Sequence, residues 1–454
     1  MVRMKDSKVL GTMGVSRLFR KLLIPTLLGM VFSAVFIITD GIFVGKGIGS
    51  DAIAAVNITA PLFLINTGIA LMFGIGASVV ASINLSKGKL KIARVHITQS
   101  VIVSSVLLML YSLFLFLNVE KVVLLLGSSE RLLPLTVEYV HWFSPFLVFS
   151  ALLSSGLFFV RLDGSPNYAM ICNVLAAVFN ILGDWLFIYV LKLGMFGAAL
   201  ATSLGYIIGA VMILFYMLQR KHILHLVAVK ISRKSLLQAF HSVTYMCQLG
   251  FSTFLCQASV ASMMFAGNAA FMHYLGEDGV AAYSVACFFF PIVLMVYNAI
   301  AQSAQPILSY NYGIGNKERV NTALRLSLGT AISCGLTVFV LTLFLSPEIV
   351  SLFVRPNCRA YAIASEGLPL FASGFVCFGI NMVSIGYYQS LERHRPANYV
   401  TVLRGFILML LCFWLMPIYM GTKGMWMAVP MAELVTFIFI LTIYSRSRIL
   451  KMER

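Results

Sequence analysis

Long apolar runs alternate with short polar connections along the whole chain. Twelve runs, at residues 22–43, 53–83, 95–118, 135–160, 168–190, 195–219, 240–266, 280–310, 322–345, 361–390, 398–418 and 424–444, each extend over at least 20 residues. At about 1.5 Å per residue such a run crosses about 30 Å of hydrocarbon. Strands short enough for a membrane barrel would show ten-residue stretches of alternating polarity, and none is present, so the runs predict helices. The first run follows a basic segment with no small-residue cleavage site behind it, which predicts a retained span rather than a signal peptide.

The pattern repeats. GSDAIAAVNI from Gly49 matches GEDGVAAYSV from Gly276, SINLSKGK from Ser82 matches SYNYGIGN from Ser309, and LGMFGAALA around Gly197 matches MGTKGMWMA around Gly424, each displaced by 227 residues. The expected domains are an N-terminal six-helix lobe (1–219), a cytoplasmic linker (220–239) and a C-terminal six-helix lobe (240–454). An even number of spans per repeat keeps both copies in one orientation. The predicted fold is therefore an all-α membrane protein, with twelve transmembrane helices in two six-helix lobes related by pseudo-twofold symmetry along the membrane normal. In transporters built this way the substrate site lies between the repeats, and access to it alternates.

Composition agrees, with 60% hydrophobic and 11% charged residues and a mean hydropathy of +0.93. The formal charge of +17 invites a nucleic-acid reading until the charges are placed. With a cytoplasmic N-terminus, 25 of the 33 Lys and Arg fall in inside segments, 7 in outside loops, and Arg404 in a span. That bias is the positive-inside rule, so a multi-pass protein of the plasma (cell inner) membrane with both termini cytoplasmic is expected, with membrane lipids as partners and no nucleic acid. The eight cysteines form no C-x-x-C pair, the histidines form no ligand-spaced pair apart from His222 and His225 in the linker, and no phosphate-binding G-x-x-x-x-G-K-[ST] occurs. Disulfides, an enzyme and an ATP-driven pump are not expected, nor is any cofactor.

Charge inside the spans is rare and expensive, so it marks function. Asp40 is the single ionisable side chain of LLIPTLLGMVFSAVFIITDGIF, and Asp184 stands alone in FNILGDWLFIY. Asn180 lies four residues before Asp184 and shares its helix face. Thr202 lies on the next helix, in GAALATSLGY, whose small residues allow close helix approach. We expect Asp40, Asn180, Asp184 and Thr202 to form the cation-coupling site. The oxygen-rich set would hold Na⁺ as a hard cation, or its carboxylates would carry H⁺. Pro25 is the expected hinge of the first span. Met30, Phe36 and Ile37, with Asn57, Tyr139, Asn173 and Tyr206, are the candidates for a substrate cavity. Shifted by 227, Asp40 lands on Gly267 and Asp184 on Leu411, so the acids belong to the first repeat alone. The second offers Gln248, Gln257, Asn298 and Asn381 as polar groups, and Glu433, to which no role is assigned. Arg404 is expected to snorkel towards the cytoplasmic surface.

Pro25, Asp40-Gly-Ile-Phe-Val-Gly, Gly49-x-x-Ala-Ile-Ala-Ala, Gly74-x-Gly-Ala-Ser and Asn180-x-x-x-Asp184 together resemble the MATE family of multidrug and toxic compound extrusion transporters, over essentially the whole chain. The resemblance implies a two-lobed, twelve-helix antiporter that expels organic, often cationic, compounds in exchange for H⁺ or Na⁺. The pattern is similar to the DinF-like and MepA-like branches. There, acids matching Asp40 and Asp184 carry the coupling ion, helped by an Asn and a Thr matching Asn180 and Thr202. The chain departs from the NorM-like branch, which uses second-lobe acids as well. The expected function is cation-coupled export of hydrophobic or cationic small molecules by a monomer. The alternative is a flippase for a lipid-linked saccharide, which would need several Arg and Lys in its central spans.

Overall fold

In hydrocarbon the backbone finds hydrogen-bond partners only within itself, so apolar runs of this length have to close as helices. The computed structural model describes residues 9–229, 232–356 and 358–452, and every regular element among the described residues is helical. In chain order these are α1 (Val9–Thr12), α2 (Val15–Gly47), α3 (Ser50–Ser86), α4 (Leu90–Leu117), α5 (Val119–Leu125), α6 (Leu133–Phe143), α7 (Leu147–Leu162), α8 (Pro166–Asp184), α9 (Gly194–Leu218), α10 (Arg233–Gly313), α11 (Lys317–Ser351), α12 (Arg359–Ala372), α13 (Phe375–Ser390), α14 (His394–Val402) and α15 (Met409–Met452).

Several expected spans are assembled from more than one piece or run together. The span expected at 135–160 is α6 and α7 joined through a 3-10 turn at Ser144–Phe146, where Pro145 removes a helical donor. The span expected at 361–390 is α12 and α13, bent by 45°. Conversely, α10 contains two expected spans, broken only at Gly276 (φ 67°, ψ −153°). The last two spans form one long element with a similar break at Gly421 (φ 58°, ψ −136°). Among the described residues nine elements are long and apolar enough to cross a membrane and the bent pair makes ten; the two broken elements each supply two, which gives the twelve.

The repeat reappears in the backbone. Gly49 and Gly276, Gly88 and Gly315, and Gly194 and Gly421 all have positive φ, and the last two pairs agree within a few degrees. Each pair is separated by 227 positions. Side chains are strained in that region of φ, so both copies keep glycine where the chain turns between spans.

Internal contacts divide the chain into two compact units. Unit 1 comprises Met1–Phe254 and Ser309–Lys317; unit 2 comprises Leu255–Leu308 and Glu318–Arg454. The first stretch of α10 therefore packs with unit 1, where Gly250 approaches Met72 and Gly76 approaches Met246 backbone to backbone. A core of unit 1 gathers Val44 of α2, Ala55 of α3, Tyr139 and Phe143 of α6, and Ala198 and Ala199 of α9. It holds these four helices in place around the acidic residues described next.

Candidate functional site

The site is built where α2, α8 and α9 of unit 1 pack together. Glycine sets how close they come. A Cβ on Gly205 of α9 would stand 2.6 Å from the Ala176 carbonyl oxygen and 3.1 Å from the Asn180 Cβ, and one on Gly183 of α8 would stand 3.1 Å from Ala201. With hydrogen in place of a side chain at both positions, α8 and α9 approach until Asn180 and Thr202 face the same space. Two turns before Asn180 on α8, the Asn173 side chain lies against Gly29 of α2.

Asp40 of α2 completes the group. Thr202 Oγ1 donates to Asp40 Oδ1 at 3.1 Å, and the same hydroxyl lies 3.0 Å from the Ala198 carbonyl. Asn180 and Asp184 also face the Asp40 carboxyl group. The four residues expected to meet are thus brought together, on three helices. Asn180 and Asp184 are wholly buried, yet both amide atoms of Asn180 and both carboxyl oxygens of Asp184 have no hydrogen-bond partner within the protein. Buried polar atoms are normally paired, and leaving one unpaired costs about 1–3 kcal/mol, more for a charged group. Four such atoms on one helix face point to something that binds there. Asp184 is followed at once by a π-helical turn, Trp185–Val190, a feature common next to functional residues.

The donors are two carboxylates, an amide oxygen and a hydroxyl, which suit a hard cation such as Na⁺, or a proton shared between the acids. No group of three or more His, Cys, Asp or Glu able to hold a metal occurs among the described residues. The set therefore lacks the ligands of a transition-metal site.

Aromatic rings wall the acids on one side. Tyr139 of α6 and Tyr206 of α9 both lie close to Asp40. Tyr206 meets Phe36 edge-on at 5.6 Å and Phe143 at 6.3 Å. Phe63 of α3 packs on Phe143 at 4.3 Å. Phe63 and Phe143 were not singled out from the sequence, where they are two phenylalanines among 35. Of the other cavity candidates, Met30 and Asn173 are half-buried, while Ile37 and Asn57 are exposed. Pro25 is buried inside α2, which remains helical on both sides of it.

Unit 2 has no equivalent of the acid pair. At Gly267, the counterpart of Asp40, the ring of Tyr283 occupies the space a side chain would need. Its charge lies elsewhere, and here the expectation for Arg404 fails. Rather than snorkelling, Arg404 is 1% exposed. Its Nε lies 3.5 Å from Glu433 Oε1 and its guanidinium stands over the Phe378 ring at 4.9 Å. Asn381 Nδ2 donates to Glu433 Oε2 at 2.7 Å. A π-helical turn, Leu403–Leu408, carries Arg404 inward. Arg404 and Glu433 are 29 positions apart on packed helices, a separation with no periodic signature in sequence.

Comparison with known proteins agrees with this architecture. The MatE family model matches residues 25–186 and again 253–414, one copy in each half of the chain. A protein of Shewanella oneidensis described as an FAD transporter is 24% identical over 95% of this chain and 94% of its own length. The multidrug export protein MepA of Staphylococcus saprophyticus is 21% identical over 86% of this chain and 85% of its own. A crystal structure of MATE in the straight conformation superposes with a TM-score of 0.90 at 21% identity, covering both chains completely. With two copies of the family's domain spanning most of its length, the chain belongs to the MatE family of multi-pass membrane transporters.

Proposed function

We propose that this protein exports hydrophobic or cationic organic compounds across the plasma membrane in exchange for H⁺ or Na⁺, with both termini in the cytoplasm. The observation that carries the reading is the cluster at Asp184: two carboxyl oxygens and an amide, wholly buried beside Asp40 and unpaired by the strict geometry of a hydrogen bond. Two carboxylates in so dry a place repel each other unless a cation or a proton comes between them. An organic cation and the coupling ion therefore compete for the same negative charge, and arrival of one favours departure of the other.

The residues divide the work. Asp40, half-open and held by Thr202, meets the entering ion. Asp184 and Asn180 receive it deeper in the helix packing. Phe36, Tyr139 and Tyr206 offer ring faces to an organic cation next to the acids, where cation–π contact is worth about 0.5–2 kcal/mol. The buried Pro25 lacks the donor that would tie it to the preceding turn, which makes it the place where α2 bends when Asp40 is neutralised.

The test is ethidium transport in everted membrane vesicles, started by a pH jump or by a Na⁺ jump, for wild type, Asp40→Asn and Asp184→Asn. Transport driven by one of the two jumps and abolished in both variants is the expected result. Undiminished gradient-driven transport in both variants removes the site. The relative described as an FAD transporter favours a second substrate reading, a flavin dinucleotide. FAD uptake into the same vesicles, with no ethidium transport, would establish it in place of the first.

A further inference from the structure

Within unit 2 a cavity of about 380 Å³ opens between α11, α13 and α15, a volume in the range of roughly 300–1,000 Å³ typical of ligand sites. Its lining is divided by chemistry. Leu328, Ile332, Phe437 and Ile440 form an apolar wall, while Asn321 and Arg325 stand at one end. Arg325 is exposed and has no acid within salt-bridge distance among the described residues. It lies eight residues from Lys317, the first residue of α11, or about 12 Å along the axis. Helical side chains lean towards the N-terminus, so its guanidinium reaches back to the depth of lipid headgroups. The same end of unit 2 carries Arg319, Arg393 and Arg395, besides Arg325, against Glu318 and Glu392. The balance there is cationic.

Unit 1 shows what a groove at this position accepts. A shift of 227 residues takes Asn321 to Arg94, Arg325 to Thr98 and Ser390 to Asp163. In unit 1 these three positions are engaged by the segment that follows α9. Arg94 Nε donates to the Ile223 carbonyl at 2.8 Å. The Val227 N–H donates to Thr98 Oγ1 at 3.1 Å, and the Leu224 N–H donates to Asp163 Oδ1 at 2.6 Å. Leu224 is buried beneath. An apolar body with polar atoms at the helix end thus closes the groove. In unit 2 the corresponding chain does not turn back, because α15 continues as helix to Met452, and Arg325 replaces the threonine.

We propose that this cavity binds an anionic glycerophospholipid of the adjoining leaflet, its phosphate on Arg325 and an acyl chain against Leu328, Ile332, Phe437 and Ile440. The source is the bilayer itself, whose cytoplasmic leaflet is anionic and attracts basic clefts between spans. This site is independent of the ion site in unit 1 and of the transported compound.

Native mass spectrometry of the full-length protein, titrated with dioleoylphosphatidylglycerol or dioleoylphosphatidylcholine, tests it. The anionic lipid should bind preferentially. Arg325→Ala should weaken that binding about fivefold, one cation's worth, while Arg325→Lys keeps most of it. Leu328→Trp, which fills the apolar wall, should weaken both lipids. Equal binding of the two lipids to wild type overturns the proposal. So does unchanged phosphatidylglycerol binding in both Arg325→Ala and Leu328→Trp, and a loss confined to Arg325→Ala reduces the site to a surface charge contact without an acyl seat. A phosphatidylglycerol with a photoactivatable acyl chain needs no variant. Cross-links concentrated on residues 328–332 and 437–441 support the site, and cross-links spread evenly over the other lipid-facing helices refute it.

Discussion

A carboxyl group kept buried with another carboxyl group as its neighbour is a cost that stability alone would not retain. Asp184 has no protein hydrogen bond to either oxygen, so an apolar residue of similar size should fit its place better. Asp184→Leu is expected to raise the midpoint of thermal unfolding in detergent while ending transport, as happens where function requires an unfavourable group. A fall in the midpoint would mean that the carboxyl group is a structural anchor. Glu433 is the opposite case. It holds Arg404 and Asn381 together inside unit 2, and removing one partner leaves the other charge stranded. Glu433→Ala should cost about 3–5 kcal/mol, and the double change with Arg404→Met should recover most of it. If the single variant unfolds like wild type, the pair has no structural role.

At the scale of elements, the site depends on how closely α8 and α9 approach. Gly205→Ala places a methyl group 2.6 Å from the Ala176 carbonyl oxygen, and overpacking of this kind costs about 1–3 kcal/mol. It should lower the unfolding midpoint and weaken coupling together. Gly329→Ala on α11, where nothing lies within 4 Å, should instead stabilise by about 0.5–1 kcal/mol. Equal effects would show that helix approach does not set the geometry. Outside the spans, the segment after α9 is fastened by Asp163, which accepts from Leu224 N–H and from the Tyr216 hydroxyl at 2.6 Å and lies 3.4 Å from His222 Nδ1. Burial pushes the Asp163 carboxyl above its ordinary range, partly offset by Tyr216, the Leu224 and Ile223 N–H groups and Arg94. An acid whose value is raised by folding contributes stability that is present at low pH and lost as pH rises through the raised value. Amide exchange of residues 219–227, corrected for its intrinsic rate, should therefore slow as pH falls through the raised value, and Asp163→Asn should flatten the profile. A profile unaffected by that change would remove Asp163 from the fastening.

On the scale of the whole molecule, hydropathy and the 227-residue displacement were enough to read twelve spans in two sets of six, and the glycine pairs with positive φ show the same spacing in the backbone. That Asp40, Asn180, Asp184 and Thr202 come together could be expected in advance because charge inside an apolar run is conspicuous, and because Asn180 and Asp184 share a face by helical period alone. What the sequence hid depends on contacts between distant helices. The Arg404–Glu433 pair needed the packing of unit 2, the wall of Phe63 and Phe143 needed α3 and α6 side by side, and the π-helical turns at Trp185 and Leu403 leave no pattern that a 3.6-residue period reveals. In the proposed function the organic compound and the coupling ion exchange for one another at Asp40 and Asp184. The most direct measurement is the release of H⁺, read with a pH indicator in weak buffer, or of radioactive Na⁺, when ethidium is added to the purified protein. Wild type should release one of these ions on ethidium binding, and Asp40→Asn should bind ethidium with little or no release. Ethidium binding to wild type with neither ion set free would mean that the two do not exchange at these acids.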